Sequence, residues 1–342
     1  MELSELDYRL PPELIAQTPA ASRDASRLLV IDRARGSFED HVFTELPALL
    51  RAGDCLVVND SRVIPARVLA RDKDGRSIEL LFVEPIEPHR WWALVRPGRR
   101  CRAGTELFVD GTLRLRVTGV NADGARLVER LNGTIEDVMR EHGLPPLPPY
   151  IARFASPTVE DRERYQNVYA RPPGSVAAPT AGLHFTCGVL DTLRRSGVEV
   201  VTLTLHVGPG TFRPIKTTRV EDHVLPPERL VIPPAAAEAV NRARAARRRV
   251  IAVGTTTTRA LESAAGSDGL VGGFQSVARI YITPGHVFRV ADGLLTNFHL
   301  PRSSLLVLVA AFAGRELILK AYDHAVRAGY RFYSYGDATL IL

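Results

Sequence analysis

The chain has 342 residues, 45% of them hydrophobic, and a formal net charge of +6; this exceeds what one core usually organises, so two domains are expected, and a wholly disordered or acidic chain is excluded. Positive charge favours a polyanionic partner, although Lys73, Lys216 and Lys320 are the lysines among 44 basic residues, an arginine bias that weakens the inference. Cys55, Cys101 and Cys187 lie far apart with no CxxC pair, which points to neither a disulfide framework nor a zinc knuckle and fits a reducing compartment.

The opening MELSELDYRLPPELIAQ carries acids and prolines where a secretion signal needs a basic start and an apolar stretch, so a cytoplasmic protein is expected. Strand-like SRLLVID and DCLVVND follow, and the second runs into Asn59, Asp60, Ser61 and Arg62. Ligands collect at such strand ends in α/β folds; an Asx turn would place the same residues there. Between about Ala66 and Leu131 the pattern becomes alternation broken by Asp74-Gly75, Asp110-Gly111 and Asp123-Gly124, the chemistry of tight hairpins. A small antiparallel β-barrel is expected, closed off by the helical TIEDVMREHG and a proline-rich tether.

After Tyr150 helices alternate with short apolar strands such as VEVVTLTLHV and RVIAVGT, which implies a sheet with a parallel component. The expected organisation is a mixed α/β main domain over 1–65 and 150–342, split by an inserted β domain over 66–149. Three histidines end apolar runs: His184 in SVAAPTAGLHFT, His206 in LTLHVGPGTFRPI and His299 in LLTNFHLPRSSL. Their spacing matches no metal motif. Imidazole suits acid/base or polar-recognition chemistry, and the serine-hydrolase elbow GxSxG is absent.

Gly208 and Gly210 would let a ligand approach the backbone, with Arg213 as an anion clamp; the missing third glycine argues against a dinucleotide fingerprint. In RVIAVGTTTTRALES a strand meets Thr255–Thr258 and then a helix holding Arg259 and Glu262. A helix N-terminus binds carboxylate or phosphate, and capping alone needs one hydroxyl, not four. The run NRARAARRR reads as a solvated helix end or a phosphate contact. LLVLVAAFAG is about half a bilayer span and reads as a buried helix; YRFYSYGDATLIL, with Tyr333 and Asp337, reads as a terminal strand.

Together NDSRVIPAR, RYQNVYA, PGSVAAPTAGLHF, LHVGPGTFRP, AVGTTTTRALES, TNFHLPRSSLL and RFYSYGDATLI resemble the S-adenosylmethionine:tRNA ribosyltransferase-isomerase family of queuosine biosynthesis, over essentially the whole chain. The resemblance implies transfer and isomerisation of the ribosyl part of S-adenosylmethionine onto the aminomethyl group of a tRNA 7-deazaguanine, releasing adenine and methionine. It implies no metal or redox cofactor and a barrel-like α/β main domain, split in sequence by an inserted β domain; no membrane partner is expected, and a monomer or weak oligomer is. His184, His206 and His299 would then move protons. Asp60, Asp337 and Asn297 would orient hydroxyls or the sulfonium, and Arg213 or Arg259 with the Thr255–Thr258 loop, Thr255 and Thr256 foremost, would hold the methionine carboxylate. Asn59, Arg62, Thr180, Gly182, Gly208, Gly210, Thr211, Glu262 and Tyr333 complete the implied substrate contacts, and the small residues around His184 would clear space for the adenosyl group. Three departures bear on the acceptor: Pro226 stands where the family has histidine, His286 where it has tyrosine, and Thr339 where methionine is usual. The same chemistry on a non-tRNA 7-deazapurine or amine, or a non-catalytic tRNA-binding relative, are the alternatives.

Overall fold

Four apolar runs pair side by side in parallel: Glu199–Leu205, Cys55–Asn59, Val250–Val253 and Gly293–Asn297. The last three are buried at every position, as expected of parallel strands covered on both faces. In the computed structural model, which describes residues 1–153, 156–212 and 215–342 with the side chains of Thr211 and Phe212 excepted, these strands form the middle of a nine-stranded mixed sheet. Ala338–Ile341 adds antiparallel to Gly293–Asn297, then Arg27–Asp32 adds parallel to it and Ser37–Val42 closes a hairpin. On the other flank Glu228–Ile232 and Phe274–Ala278 add antiparallel.

This order has a consequence for chemistry. The carboxyl ends of the four parallel strands, at Leu205, Asn59, Val253 and Asn297, share one edge of the sheet. Ala338–Ile341 and Arg27–Asp32 run the other way, so their amino-terminal neighbours Asp337 and Ser26 reach that same edge. Helices pack on the sheet, among them Cys187–Arg195, Pro234–Ala245, Thr255–Ala264 and the apolar Ser304–Ala313. The ten residues of the last are mostly buried, and no helix among the described residues is long and apolar enough to cross a membrane. One core cluster includes Leu28, Phe43, Leu56, Val58, Phe185, Ile251 and Leu295.

The chain divides into two compact units: Met1–Arg62 with Gln166–Pro172 and Ala178–Leu342, which carries the mixed sheet, and Val63–Tyr165 with Pro173–Ala177. In the second, six antiparallel strands (Arg67–Asp72, Ser77–Glu87, Arg90–Arg96, Glu106–Val109, Leu113–Val120, Arg126–Arg130) close into a barrel. Its interior is filled by alternate residues, including Val68, Leu80, Phe82, Ala93, Leu107, Leu115 and Val128. Gly75, Gly111 and Gly124 of the Asp-Gly turns all have positive φ, the conformation those hairpins require. Helix Ile135–His142, opened by a Thr134–Asp137 capping box, belongs to this unit. So does the chain onward to Tyr165. A mixed α/β unit and a closed antiparallel barrel are the fold class expected from the sequence.

Candidate active site

At the carboxyl edge of the parallel strands lies a cavity with an empty volume of ≈ 460 Å³, walled by Ala178–Ala181, Val207, Gly254–Thr256, Thr296, Asn297, His299, Leu305, Tyr333 and Ser334. A second cavity of ≈ 350 Å³ shares Thr255, Thr256 and Leu305 with it and extends to Arg259 and Tyr281. The shared walls make the two one cleft.

The strand Val250–Val253 turns into the helix Thr255–Ala264 through Gly254, whose φ of 92° is a glycine conformation. Of the threonines that follow, Thr257 and Thr258 donate back to the carbonyls of Val253 and Gly254. Thr256 Oγ1 is buried and has no hydrogen-bond partner among the described residues. It faces the cleft. Arg259, one turn on, donates from Nε to the carbonyl of Ile280 and from Nη1 to Glu228 Oε2 at 2.5 Å. Its Nη2 is buried and unpartnered. Glu228 Oε1 accepts from the N–H of Gly208, so a neutralised ion pair also holds the loop after Leu205.

On the opposite wall the amide of Asn297 donates from Nδ2 to Nε2 of His184 at 3.0 Å. Nδ1–H of His184 then donates to Ser26 Oγ at 2.7 Å, and Phe43 stacks on the ring. Asn297 Oδ1 is buried without a partner among the described residues. His299 lines the cleft, its Nε2 3.0 Å from Thr296 Oγ1. Its backbone is fixed by Tyr8 and Tyr322, the first donating to its carbonyl and the second accepting from its N–H. Burial pushes both rings down to about 3, and Arg23 and Arg331 add to the effect at His184; both imidazoles are therefore neutral at neutral pH. Tyr333 adopts φ 76°, a strained value for a bulky residue of the kind that gathers at functional sites.

Of the residues singled out in the sequence, Thr180, Thr255, Thr256, Arg259, Asn297, His299 and Tyr333 line the cleft. His184 stands one layer behind it. The others are placed elsewhere. Asn59 Oδ1 accepts from the N–H of Ser61 and Leu205 while its Nδ2 donates to the carbonyl of Leu205, which ties two strand ends together. Asp60 Oδ1 accepts from Thr204, His206 Nδ1 lies 2.8 Å from Ser61 Oγ with its pKa lowered by burial and by Arg229, and Arg62 is exposed. Both oxygens of Asp337 accept backbone N–H groups, from Arg27 and Arg331. Both oxygens of Glu262 do the same for Arg289, Val290 and Ala291. These carboxylates hold chain segments, because a buried backbone donor needs a partner wherever a sheet or helix cannot supply one.

Gly182 does not clear space for a ligand: a Cβ there would overlap Tyr169 Oη and the Asn167 amide. The clearance comes from Ala178, Pro179 and Ala181 instead. Gly210 packs on Pro226 and Gly208 approaches Glu228. Arg213 lies outside the described residues, as does the side chain of Thr211. Sequence reasoning missed Ser26, Tyr169 and Glu228, whose partners are distant in the chain. Pro226, His286 and Thr339 do not line the cleft; Thr339 Oγ1 donates to the carbonyl of Thr296 behind it.

An α/β enzyme is the class defined by a part-apolar cleft at the carboxyl edge of parallel strands, lined by a few residues whose polar atoms are unpartnered among the described residues. Residues 3–341 match the model of the family described as queuosine biosynthesis protein, and the chain belongs to that family. It is 50% identical over 346 residues to the S-adenosylmethionine:tRNA ribosyltransferase-isomerase of Desulfitobacterium hafniense, and 51% identical over 346 residues to that of Moorella thermoacetica, each alignment covering 100% of both proteins. The crystal structure of S-adenosylmethionine tRNA ribosyltransferase from Thermotoga maritima is similar at 37% identity and a TM-score of 0.56, covering 99% of this chain and 100% of that one.

Proposed function

We propose that this protein transfers and isomerises the ribosyl moiety of S-adenosylmethionine onto the aminomethyl group of a 7-deazaguanine in tRNA, forming an epoxycyclopentane and releasing adenine and methionine. The observation that carries the reading is the polarity of the cleft. Asn297, whose buried Oδ1 is an acceptor, and the neutral ring of His299 stand at one end; Thr256 and the amino end of helix Thr255–Ala264 lie between; Arg259, with its buried Nη2, stands at the other. S-adenosylmethionine has the complementary sequence of charges, a sulfonium cation and a carboxylate.

Chemically, a base removes a proton from the carbon next to the sulfonium, the ring C–O bond breaks to give a vinyl sulfonium, and the freed oxygen collapses to an aldehyde as the glycosidic bond breaks and adenine leaves with a proton. The acceptor amine adds to the vinyl sulfonium, the resulting ylide closes onto the aldehyde, and the alkoxide so formed displaces the thioether to give the epoxide. The sulfonium both acidifies the carbon and departs as methionine's thioether, so no electron transfer and no metal or redox cofactor is required. His299 is the imidazole that lines the cleft and can take the proton, its ring oriented by the hydrogen bond with Thr296; burial in the cleft lowers its basicity. Arg259 Nη2 and the first-turn N–H groups receive the carboxylate. The departures at Pro226, His286 and Thr339 lie outside the cleft lining, which supports the same co-substrate.

The test is to incubate the protein with S-adenosylmethionine and either tRNA carrying the aminomethyl base or the free base, and to follow adenine by chromatography. Adenine released only with the modified tRNA is the expected result. Release with the free base alone would move the acceptor to a small molecule, and tRNA binding with no release in either arm would leave a non-catalytic binding protein.

A further inference from the structure

The amino ends of Val250–Val253 and Gly293–Asn297 lie at the sheet edge opposite the cleft, and arginines converge there. Arg244, Arg247, Arg248, Arg249 and Arg289, with Phe288 and Asp292, line an open groove whose empty volume is ≈ 850 Å³. Two neighbours of this set are paired within the protein: Arg249 with Asp54, and Arg242 with Glu199. Arg244, Arg247, Arg248 and Arg289 have no carboxylate within ion-pair distance among the described residues. The groove's own acid, Asp292, accepts from the N–H of Val250.

Arginine at a helix C-terminus also complements the macrodipole, which accounts for Arg242 and Arg244 in the last turn of Pro234–Ala245. It does not account for the rest. Beyond the helix the N–H of Arg247 donates to the carbonyl of Arg244 and that of Arg248 to the carbonyl of Ala243, a Schellman ending in which the left-handed residue is usually glycine. Here that residue is Arg247, at φ 54°. A side chain kept where glycine fits better, beside three guanidiniums from two segments of the chain with no carboxylate partner among the described residues, is accounted for by a ligand with several negative charges. One phosphate would engage two such forks; four spread along an open groove suit a chain of phosphates, with Phe288 as an apolar wall for sugar or base.

We propose that this groove binds the phosphodiester backbone of the RNA substrate, at a site separate from the cleft. The assignment rests on tRNA being the acceptor. Strand rise of about 3.3 Å per residue puts the two edges on the order of 15 Å apart along strands of four to five residues, a distance that a short RNA stem spans.

The test uses the full chain carrying Arg244→Gln, Arg247→Gly and Arg289→Gln together. Glycine at 247 relieves the left-handed strain, so Arg247→Gly alone should melt no lower than the parent. Equilibrium tRNA binding across a salt series should show the triple variant weakened at least about ten-fold, with a log–log salt slope smaller by roughly 2 to 3, since each lost phosphate contact removes about 0.7–0.9. Adenine release at saturating tRNA and the KM for S-adenosylmethionine should be unchanged. Parental tRNA affinity and salt slope in the triple variant would overturn the proposal, as would loss of pyrophosphate binding by calorimetry with tRNA binding intact, which would assign the groove to a small anion. If the parent binds tRNA through the groove but releases no adenine, the proposed function fails while the groove stands.

Discussion

Asn297, a wall of the cleft, is held at its amide nitrogen by His184, at 3.0 Å, which leaves its carbonyl oxygen buried and unpartnered among the described residues. Ser26 fixes the imidazole in turn, so three residues from the first, middle and last parts of the chain set one acceptor. His184, neutral and fully enclosed, acts as a positioning residue.

His184→Gln should therefore lower the single-turnover rate of adenine release by roughly 10- to 100-fold, the range a misplaced contact produces, while solvent hydrogen still exchanges into the carbon next to the sulfonium. His299→Gln, at the cleft wall, should lower the rate by roughly 100- to 10,000-fold, the range of a lost general base, and abolish that exchange. Exchange lost in His184→Gln and kept in His299→Gln would reverse the two roles.

The same two rings set an acid sensitivity of the fold. Their folded pKa values, about 3, lie below the unfolded value near 6.5, so the unfolded chain binds more protons once the pH falls below about 6.5. Stability is complete above that value and is lost as the pH drops toward the folded values, at up to about 1.4 kcal/mol per pH unit for each ring. Denaturant unfolding at pH 7.5, 6 and 5 should show this decline, and His299→Gln should reduce its slope by about one proton's worth.

Much of this architecture is legible in the chain itself. Asp-Gly turns announced the barrel, and the buried runs DCLVVND and RVIAVGT announced parallel strands with loops at their carboxyl ends, which is where the cleft lies. Local sequence could not say which polar residue at those ends is spent on the backbone. Asp337 and Glu262 look like free carboxylates in YGDATL and RALES, yet their partners are N–H groups up to 310 residues away in the chain. Thr256 and Thr257 are likewise adjacent and identical in type, but helix geometry turns one hydroxyl back to Val253 and the other to the cleft.

Gly182 is a packing requirement. Gly182→Ala should destabilise the protein by about 1–3 kcal/mol, the usual cost of overpacking, because a Cβ meets Tyr169 Oη and the Asn167 amide. Tyr169 Oη is itself buried without a partner among the described residues, so Tyr169→Phe should be neutral or stabilising alone and should recover part of the loss in the double variant. Thermal unfolding of the four proteins measures the coupling; strict additivity would place the strain elsewhere.

Thr256 and Arg259 stand one turn apart and should respond in opposite ways. Arg259→Ala strands Glu228 in a buried site with only the Gly208 N–H and should cost about 3–5 kcal/mol, so any loss of activity is confounded by loss of fold. Thr256→Val removes a hydroxyl with nothing bonded to it in the empty cleft, so the melting temperature should hold or rise. If that hydroxyl meets S-adenosylmethionine, the same variant should weaken co-substrate binding by about ten-fold, equivalent to about 1.4 kcal/mol. Calorimetric titration of Thr256→Val with S-adenosylmethionine decides it: parental affinity with raised stability would mean that the unpartnered hydroxyl is a packing defect and that the ligand lies elsewhere along the cleft.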